Sequence, residues 1–407
     1  MKIALVAIGN EVLTGKTINT NSSYLAREIE QLGGTITSQH VASDNIDDIA
    51  TTLRYAFEKA DTVITIGGLG PTVDDLTREG VAKYFETELV YDETIYEGIC
   101  QHFKRMKREI PSNNNRQAYR FKDCKVIENH NGTAPGLLLQ QETRTIILLP
   151  GPPHELELMY IEAIKPYVLS NLKQRTVRRS YRLCGIGESY AEEIILPLYE
   201  KYPQFNIAPY CTLSHVDYIV TTSKTYEAHF SDFEADFKSL LGEHLIGSQD
   251  VSLSEVLLQT LEAKNLTVAT AESCSGGLLS SSFTSVLGSS RVFLEGVVTY
   301  SYESKVKTLG IDEARLKEFG AVSKEIASDM TAQLRTLTSC DVAIATTGIA
   351  GPSGGSYDKP VGLVYIAVNV LGDISVNSYI FNGNREKIRQ QTVAKAQYML
   401  LQIIKAL

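Results

Sequence analysis

The chain has 407 residues, 43% hydrophobic and 21% charged, a length that predicts two or three domains with apolar material for a core in each. Its net charge of −9 argues against a nucleic-acid partner, whose phosphates need a clustered excess of Lys and Arg. The six cysteines, Cys100, Cys124, Cys184, Cys211, Cys274 and Cys340, include no C-x-x-C pair and read as reduced thiols of a cytoplasmic protein, and no apolar run approaches the roughly 20 residues of a membrane span.

Along the chain, the apolar start is cut short by Asn10 and Glu11, so Ile3–Ile8 reads as a core strand and not as part of a signal peptide. Helical spacing over Ser22–Leu32, a strand at Thr35–Val41, a helix at Ile46–Glu58 and a strand at Thr62–Ile66 come next. This alternation predicts a parallel sheet with helices on both faces over 1–170, with ligands at the carboxyl ends of the strands. From 176 to 247 the texture is that of a small α+β module: strand-like Tyr181–Cys184, a helix at Tyr190–Lys201, strand-like Asn206–Pro209 and Asp217–Thr222, and a helix at Ala228–Leu241. Gly247-Ser248-Gln249-Asp250 reads as a linker. The α/β rhythm returns over 251–407, with strands at Leu266–Ala269, Val292–Thr299, Val342–Thr346, Gly362–Val370 and Ser375–Phe381 and a closing helix, Glu386–Leu407. The last two strands are consecutive, so this sheet is expected to be only partly parallel.

Three turn-rich clusters mark the first domain: Gly67-Gly68-Leu69-Gly70-Pro71-Thr72-Val73-Asp74-Asp75 directly after a strand, Asn131–Gly136, and Pro150–Glu155. Glycines let a ligand approach the backbone, successive amides can cradle phosphate, and adjacent carboxylates suit a divalent cation. The plainer reading of the first cluster is a turn and a helix start whose acidic residues suit the dipole. Gly9-Asn10-Glu11-Val12-Leu13-Thr14-Gly15-Lys16-Thr17 imitates a P-loop but has five residues between its glycines where four are required.

In the C-terminal domain three stretches stand out. Ala271-Glu272-Ser273-Cys274-Ser275-Gly276-Gly277 joins a strand to a helix. Gly288-Ser289-Ser290 precedes Val298-Thr299-Tyr300-Ser301 and Lys305. Thr347-Gly348-Ile349-Ala350-Gly351-Pro352-Ser353-Gly354-Gly355 comes after another strand. Singly, such a Ser is usually a turn residue, such a Tyr packing and such a Lys solvated.

Taken together, the motifs resemble the CinA family along the whole chain. The resemblance implies an N-terminal molybdopterin-binding-like three-layer α/β domain, a KH-like middle module and a C-terminal CinA domain. For the first domain it implies ADP-ribose pyrophosphatase activity with a divalent metal held by Asp74, Asp75 and Glu11. Gly68, Gly70, Thr72 and Asn21 are the expected substrate contacts; the same fold in molybdenum-cofactor proteins holds a pterin, which is the alternative ligand. In the middle module Gly185-Ile186-Gly187 lacks the G-x-x-G spacing of an RNA clamp, so a spacer or dimer-forming role is expected, with a homodimer as the assembly.

For the last domain the resemblance implies a metal-free nicotinamide mononucleotide deamidase. Ser290, Tyr300 and Lys305 reproduce the family's spacing of ten and five residues. Ser290 is the expected nucleophile, Lys305 the base once desolvated, and Tyr300 a proton relay or orienter of Ser290. Ser273, Ser275, Gly276, Thr347, Gly348, Ala350, Gly351 and Arg385 are expected around the substrate, with Arg385 on its phosphate. Asn384 departs from the family's usual Asp before that Arg. Cys274, beside a helix start that could lower its pKa, is the rival nucleophile. An adaptor for a competence or recombination partner is the rival function.

Overall fold

Lys2–Ile8 (β1) is apolar at nearly every position, as a strand covered by helices on both faces must be. Its alternate side chains enter two cores: Ala4, Val6 and Ile8 on one face, Ile3 and Leu5 on the other. Thr35–Ala42 (β2) and Thr62–Ile66 (β3) pair with it in parallel on either side. The connecting helices Thr20–Gln31 and Ile46–Phe57 are stopped at their N-termini by the side chains of Asn19 and Asn45, which accept from the first-turn amides.

A computed structural model describes residues 1–172 and 176–407, in two units: Met1–Arg178 with Ser223–Thr225, and Arg179–Thr222 with Tyr226–Leu407. In the first unit Leu89–Tyr91 (β4) and Tyr119–Phe121 (β5) form a separate pair, while Lys125–Ile127 (β6), Gly136–Gln141 (β7) and Arg144–Leu149 (β8) complete the main sheet in the order β2-β1-β3-β8-β7-β6. The expectation of a parallel sheet needs correction: β8 is parallel to β3, but β7 and β6 run antiparallel, because β7 joins β8 by a two-residue turn that cannot connect a parallel pair. Strand order turns back at β1 and β3, which opens a crevice at their carboxyl ends.

The second unit joins the middle module to the C-terminal domain. Thr176–Cys184 (β9), Asn206–Cys211 (β10), His215–Ser223 (β11) and Leu245–Gly247 (β12) form a sheet ordered β10-β11-β9-β12, with helices Glu188–Lys201 and Phe230–Leu241. The expected linker is in part a strand: Gly247 pairs with Arg182, and the Gln249 amide donates to Ser180 Oγ at 3.1 Å. Cys184 packs into the same core as Leu257, Leu279 and Leu400, so module and domain share apolar contacts.

Val268–Glu272 (β13), Phe293–Val298 (β14), Val342–Gly348 (β15), Leu363–Val370 (β16) and Asp373–Ile380 (β17) form a sheet in the order β14-β13-β15-β16-β17. The first three are parallel and the last two antiparallel, as the consecutive strands required. Three helices between β14 and β15 that the expected elements do not include, Tyr302–Leu309, Glu313–Phe319 and Lys324–Thr338, cover one face, while the closing helix Arg385–Lys405 covers the other. Among the described residues no helix is long and apolar enough to cross a membrane.

Candidate active sites

The parallel strands β13 and β14 end side by side, and the residues just beyond their ends meet at one point. Ser273 is the first residue after β13, its amide bonded to the Thr346 carbonyl at 2.9 Å. Thr299 is the first after β14, its amide bonded to the Glu272 carbonyl at 2.8 Å. One turn into the next helix, which Ser301 caps, Lys305 points inward on the same side as Leu309. Its ammonium nitrogen is fully buried, 3.1 Å from Ser273 Oγ and 2.6 Å from the Thr299 carbonyl. Burial lowers the Lys305 pKa to about 8, because the charged form loses its water.

Glu272 fixes the loop that carries Ser273. Its buried carboxylate accepts from the amides of Gly277, Leu279 and Ser280 at 2.9, 3.0 and 2.7 Å and from the Ser280 hydroxyl. Bonds to a charged acceptor contribute roughly 1.5–3 kcal/mol each, so four of them offset a desolvation cost of several kcal/mol. The chain thus makes a strand–turn–helix elbow, with the helix Leu278–Thr284 beginning behind Ser273. Gly276 and Gly277 take positive φ of 61° and 92° in that turn, where a side chain would be strained. Opposite the carboxylate, Arg389 donates to the Ser275 carbonyl from two nitrogens, at 3.1 and 2.9 Å.

Ser290 lies elsewhere. It is exposed in a single turn before β14, where neighbouring Arg291 pairs with Glu262 at 2.7 Å near the end of the helix that leads into β13. Ser290 therefore sits at the amino ends of the strands and Lys305 beyond their carboxyl ends. A six-residue strand at about 3.3 Å per residue holds them roughly 17 Å apart or more. The expected Ser290–Lys305 partnership is corrected to Ser273–Lys305. The 32-residue separation of that pair has no local periodicity, so only tertiary structure reveals it.

Tyr300 also departs from its expected part. It is 59% exposed, and its hydroxyl accepts from Arg385 Nη2 at 2.7 Å; Arg385 Nη1 reaches the Gly351 carbonyl at 3.0 Å. Tyr300 therefore steadies a cation at the start of the closing helix, whose N-cap is the Asn384 side chain. Ser275 Oγ lies 2.6 Å from Thr346 Oγ1, and the Thr347 hydroxyl donates to the Ala321 carbonyl at 2.6 Å, so both hold the loops that frame Ser273. Gly348, Ala350 and Gly351 continue from β15 beside them, and Arg389, which sequence reasoning did not single out, belongs to the same group. Cys274 is buried, and burial pushes its thiol up to about 12, which removes it as a thiolate nucleophile near neutral pH.

In the first unit the crevice at the ends of β1, β3 and β8 is a cavity of about 590 Å³, lined among others by Gly9, Glu11, Asn21, Gly68, Gly70 and Asp75. Gly67 has φ 99°, and a Cβ there would come within 2.6 Å of the Ile8 carbonyl. Gly68 has φ 66°, and a Cβ would meet the Thr77 hydroxyl at 2.1 Å. Buried Arg78 donates to the Leu69 carbonyl at 3.1 Å and to the Gly70 carbonyl at 3.3 Å, which holds the loop open. Asn21 donates to the Gly151 carbonyl at 2.6 Å and ties the Pro150–Pro153 turn to the cavity. The Thr72 hydroxyl is shared by the carboxylates of Asp74 and Asp75, so Thr72 positions acids. That hydrogen bond lowers the Asp74 pKa. Asp44, absent from the sequence expectations, lines the same cavity; burial raises its pKa, and the charges of Glu11, Asp74 and Asp75 raise it further. Among the described residues no three His, Cys, Asp or Glu side chains stand close enough together to hold a metal ion unaided.

Comparison with known proteins places both halves. Residues 250–404 match the family described as the CinA C-terminal domain, and residues 4–170 match the molybdopterin binding domain family. A competence-damage inducible protein of Clostridium beijerinckii is 40% identical over 412 residues, covering 99% of this chain and 100% of that protein. One from Clostridium botulinum is 38% identical over 401 residues, covering 97% and 98%. Among solved structures, the competence/damage inducible protein CihA of Agrobacterium tumefaciens is 37% identical, with a TM-score of 0.37, over 38% of this chain and 93% of that one. With relatives this similar from end to end, the chain belongs to the family of CinA competence-damage inducible proteins.

Proposed function

We propose that the second unit is a carboxamide hydrolase that converts nicotinamide mononucleotide to nicotinate mononucleotide and ammonia, with Ser273 as nucleophile and Lys305 as base. The observation that carries this reading is the buried Lys305 nitrogen, 3.1 Å from Ser273 Oγ and with its pKa brought down to about 8. A neutral amine at that distance takes the serine proton as Oγ adds to the carboxamide carbon. The Cys274 and Ser275 amides, which follow Ser273 directly in the turn, would donate to the developing oxyanion. The Lys305 ammonium then returns its proton to the departing ammonia, and water attacks the acyl-serine with Lys305 again as base. Arg385, steadied by Tyr300 and the Gly351 carbonyl, suits the substrate phosphate. The nicotinamide nucleotide itself comes from the family resemblance; the geometry supports amide hydrolysis.

The first unit is proposed to hydrolyse ADP-ribose at its glycine-lined cavity. Asp74 and Asp75, with Glu11 in the same cavity, would hold a divalent ion together with the diphosphate oxygens, which complete the shell of such cations. When bound, that ion supplies charge neutralisation at the diphosphate.

The deciding experiment measures ammonia release from nicotinamide mononucleotide by the full chain and by Ser273→Ala. Release by the wild type and its loss in the variant support the reading. Wild-type protein that releases none would leave the adaptor role instead.

A further inference from the structure

Two helices of the second unit face each other with matched stripes. On the closing helix Gln390, Val393, Ala394 and Gln397 recur at i, i+3, i+4 and i+7, and on the elbow helix and its cap Leu278, Ser281, Ser282 and Ser285 do the same. Four of these eight residues are Ser or Ala, too short to close the gap between the helices. Between them remains an open groove of about 730 Å³, flanked on a third side by Leu213 and His215 of the β10–β11 hairpin. That volume is in the range of sites for small organic ligands.

Gln397 is 4% exposed and lines this groove. Its amide nitrogen donates to Ser254 Oγ at 2.7 Å and to Ser282 Oγ at 2.9 Å. Ser282 spends its own proton on the Leu279 carbonyl at 2.6 Å, so it must accept from Gln397, which fixes which way the amide points. The Gln397 carbonyl oxygen accepts no hydrogen bond among the described residues and is left for the groove. Ser254, accepting from Gln397, keeps a hydroxyl proton to give. A free acceptor and a free donor thus stand side by side on a buried floor.

No unpaired charge faces them. Arg182 is held by Asp217 through two bonds of 2.7 Å, and its third nitrogen reaches the Val251 carbonyl at 3.1 Å. His215 has its pKa lowered, first by burial and then by Arg182, with the Asp217 carboxylate acting the other way. Leu213, Leu253, Leu278 and Val393 supply apolar walls.

We propose that this groove binds an uncharged small molecule bearing a primary carboxamide on an apolar body. The ligand's carbonyl accepts from Ser254 and its NH2 donates to the Gln397 carbonyl, while the ring or chain lies against the leucines. The site is separate from the Ser273–Lys305 pair but mechanically next to it. The elbow helix starts at the loop that carries Ser273, and the closing helix carries Arg385 and Arg389 in its first turns. A ligand wedged between the two helices braces both. The inference uses neither Ser273 nor Lys305, so it stands or falls independently of the proposed reaction.

The test uses the full chain with benzamide as probe and benzoate, its charged counterpart, as control, read by titration calorimetry and amide hydrogen exchange. Benzamide is expected to bind saturably and at least about 10-fold more tightly than benzoate, a difference of about 1.4 kcal/mol. It should slow exchange over 212–215, 278–285 and 390–397. Leu213→Trp fills the groove from a position that is 46% exposed and spares the core; it and Gln397→Leu should each weaken binding at least about 10-fold. Absence of saturable binding, equal binding of benzoate, protection confined to 299–305 and 347–351, or affinity unchanged by Leu213→Trp would each overturn the proposal.

Discussion

The two sites at strand ends obey the same topological rule but are finished differently. In the second unit the polar pair is enclosed in protein: Ser273 and Lys305 are buried and in contact, and the turn after Ser273 is held by a carboxylate with four donors. In the first unit the polar groups ring an open crevice, and Asp74 and Thr72 are exposed. The buried pair is held by contacts within the protein, whereas Glu11 and Asp74 of the crevice are exposed.

The comparison breaks at once if the buried pair is not the engine. Ser273→Ala should lower turnover of the amide by about 1000-fold or more, since no neighbouring group replaces the nucleophile, whereas Ser290→Ala should stay within about 2-fold. Steady-state ammonia release on both variants is the measurement, and the reverse ranking would return the nucleophile to Ser290. Next in size is Lys305. Arginine cannot lose its proton near neutral pH, so Lys305→Arg should fall about 100-fold, nearly as far as Lys305→Ala. In the wild type kcat/KM should rise with pH and level off above about 8, because the neutral amine is the active form and burial has lowered its pKa to that point. A flat profile from pH 6 to 9 would show that Lys305 works as a charge.

The open cavity should respond to different interventions. Asp75→Asn is expected to lower ADP-ribose hydrolysis at least about 10-fold and to leave ammonia release as it was; a chelator should divide the two activities the same way. If chelation stops ammonia release, the contrast between the sites is wrong. The smallest effect is reserved for Cys274→Ser. A buried thiol pushed up to about 12 is no nucleophile, so its replacement should change turnover by no more than a few-fold, roughly 1 kcal/mol of barrier.

Much of the fold was legible in the residues because periodicity reports burial. Ile3–Ile8 and Thr62–Ile66 read as strands covered on both faces and are so. The helix Lys324–Thr338 is absent from the expected elements although Ser323 caps it and Ile326, Met330 and Leu334 recur at helical spacing. The site was legible in part. The residues around Ser273 were recognised, and Lys305 was expected to be desolvated. The partner of Lys305 was not legible because Ser290 stands nearer to it in sequence, while a parallel sheet brings together the loops at the carboxyl ends of neighbouring strands. Asp44 and Arg389 escaped notice for the same reason: each acts on a loop distant in the chain, on Asn10 and Ser275.

Gly67 and Gly68 carry a lesson about descent. Each is confined twice, by a left-handed backbone and by an atom already standing where a Cβ would go: the Ile8 carbonyl for one, the Thr77 hydroxyl for the other. Neither limit involves a ligand. A lineage that abandoned chemistry in this crevice would keep both glycines to stay folded, while the exposed side chains of Asp74 and Thr72, which bond only acids of the same loop and each other, would be free to drift. The acids would erode first and the glycines last.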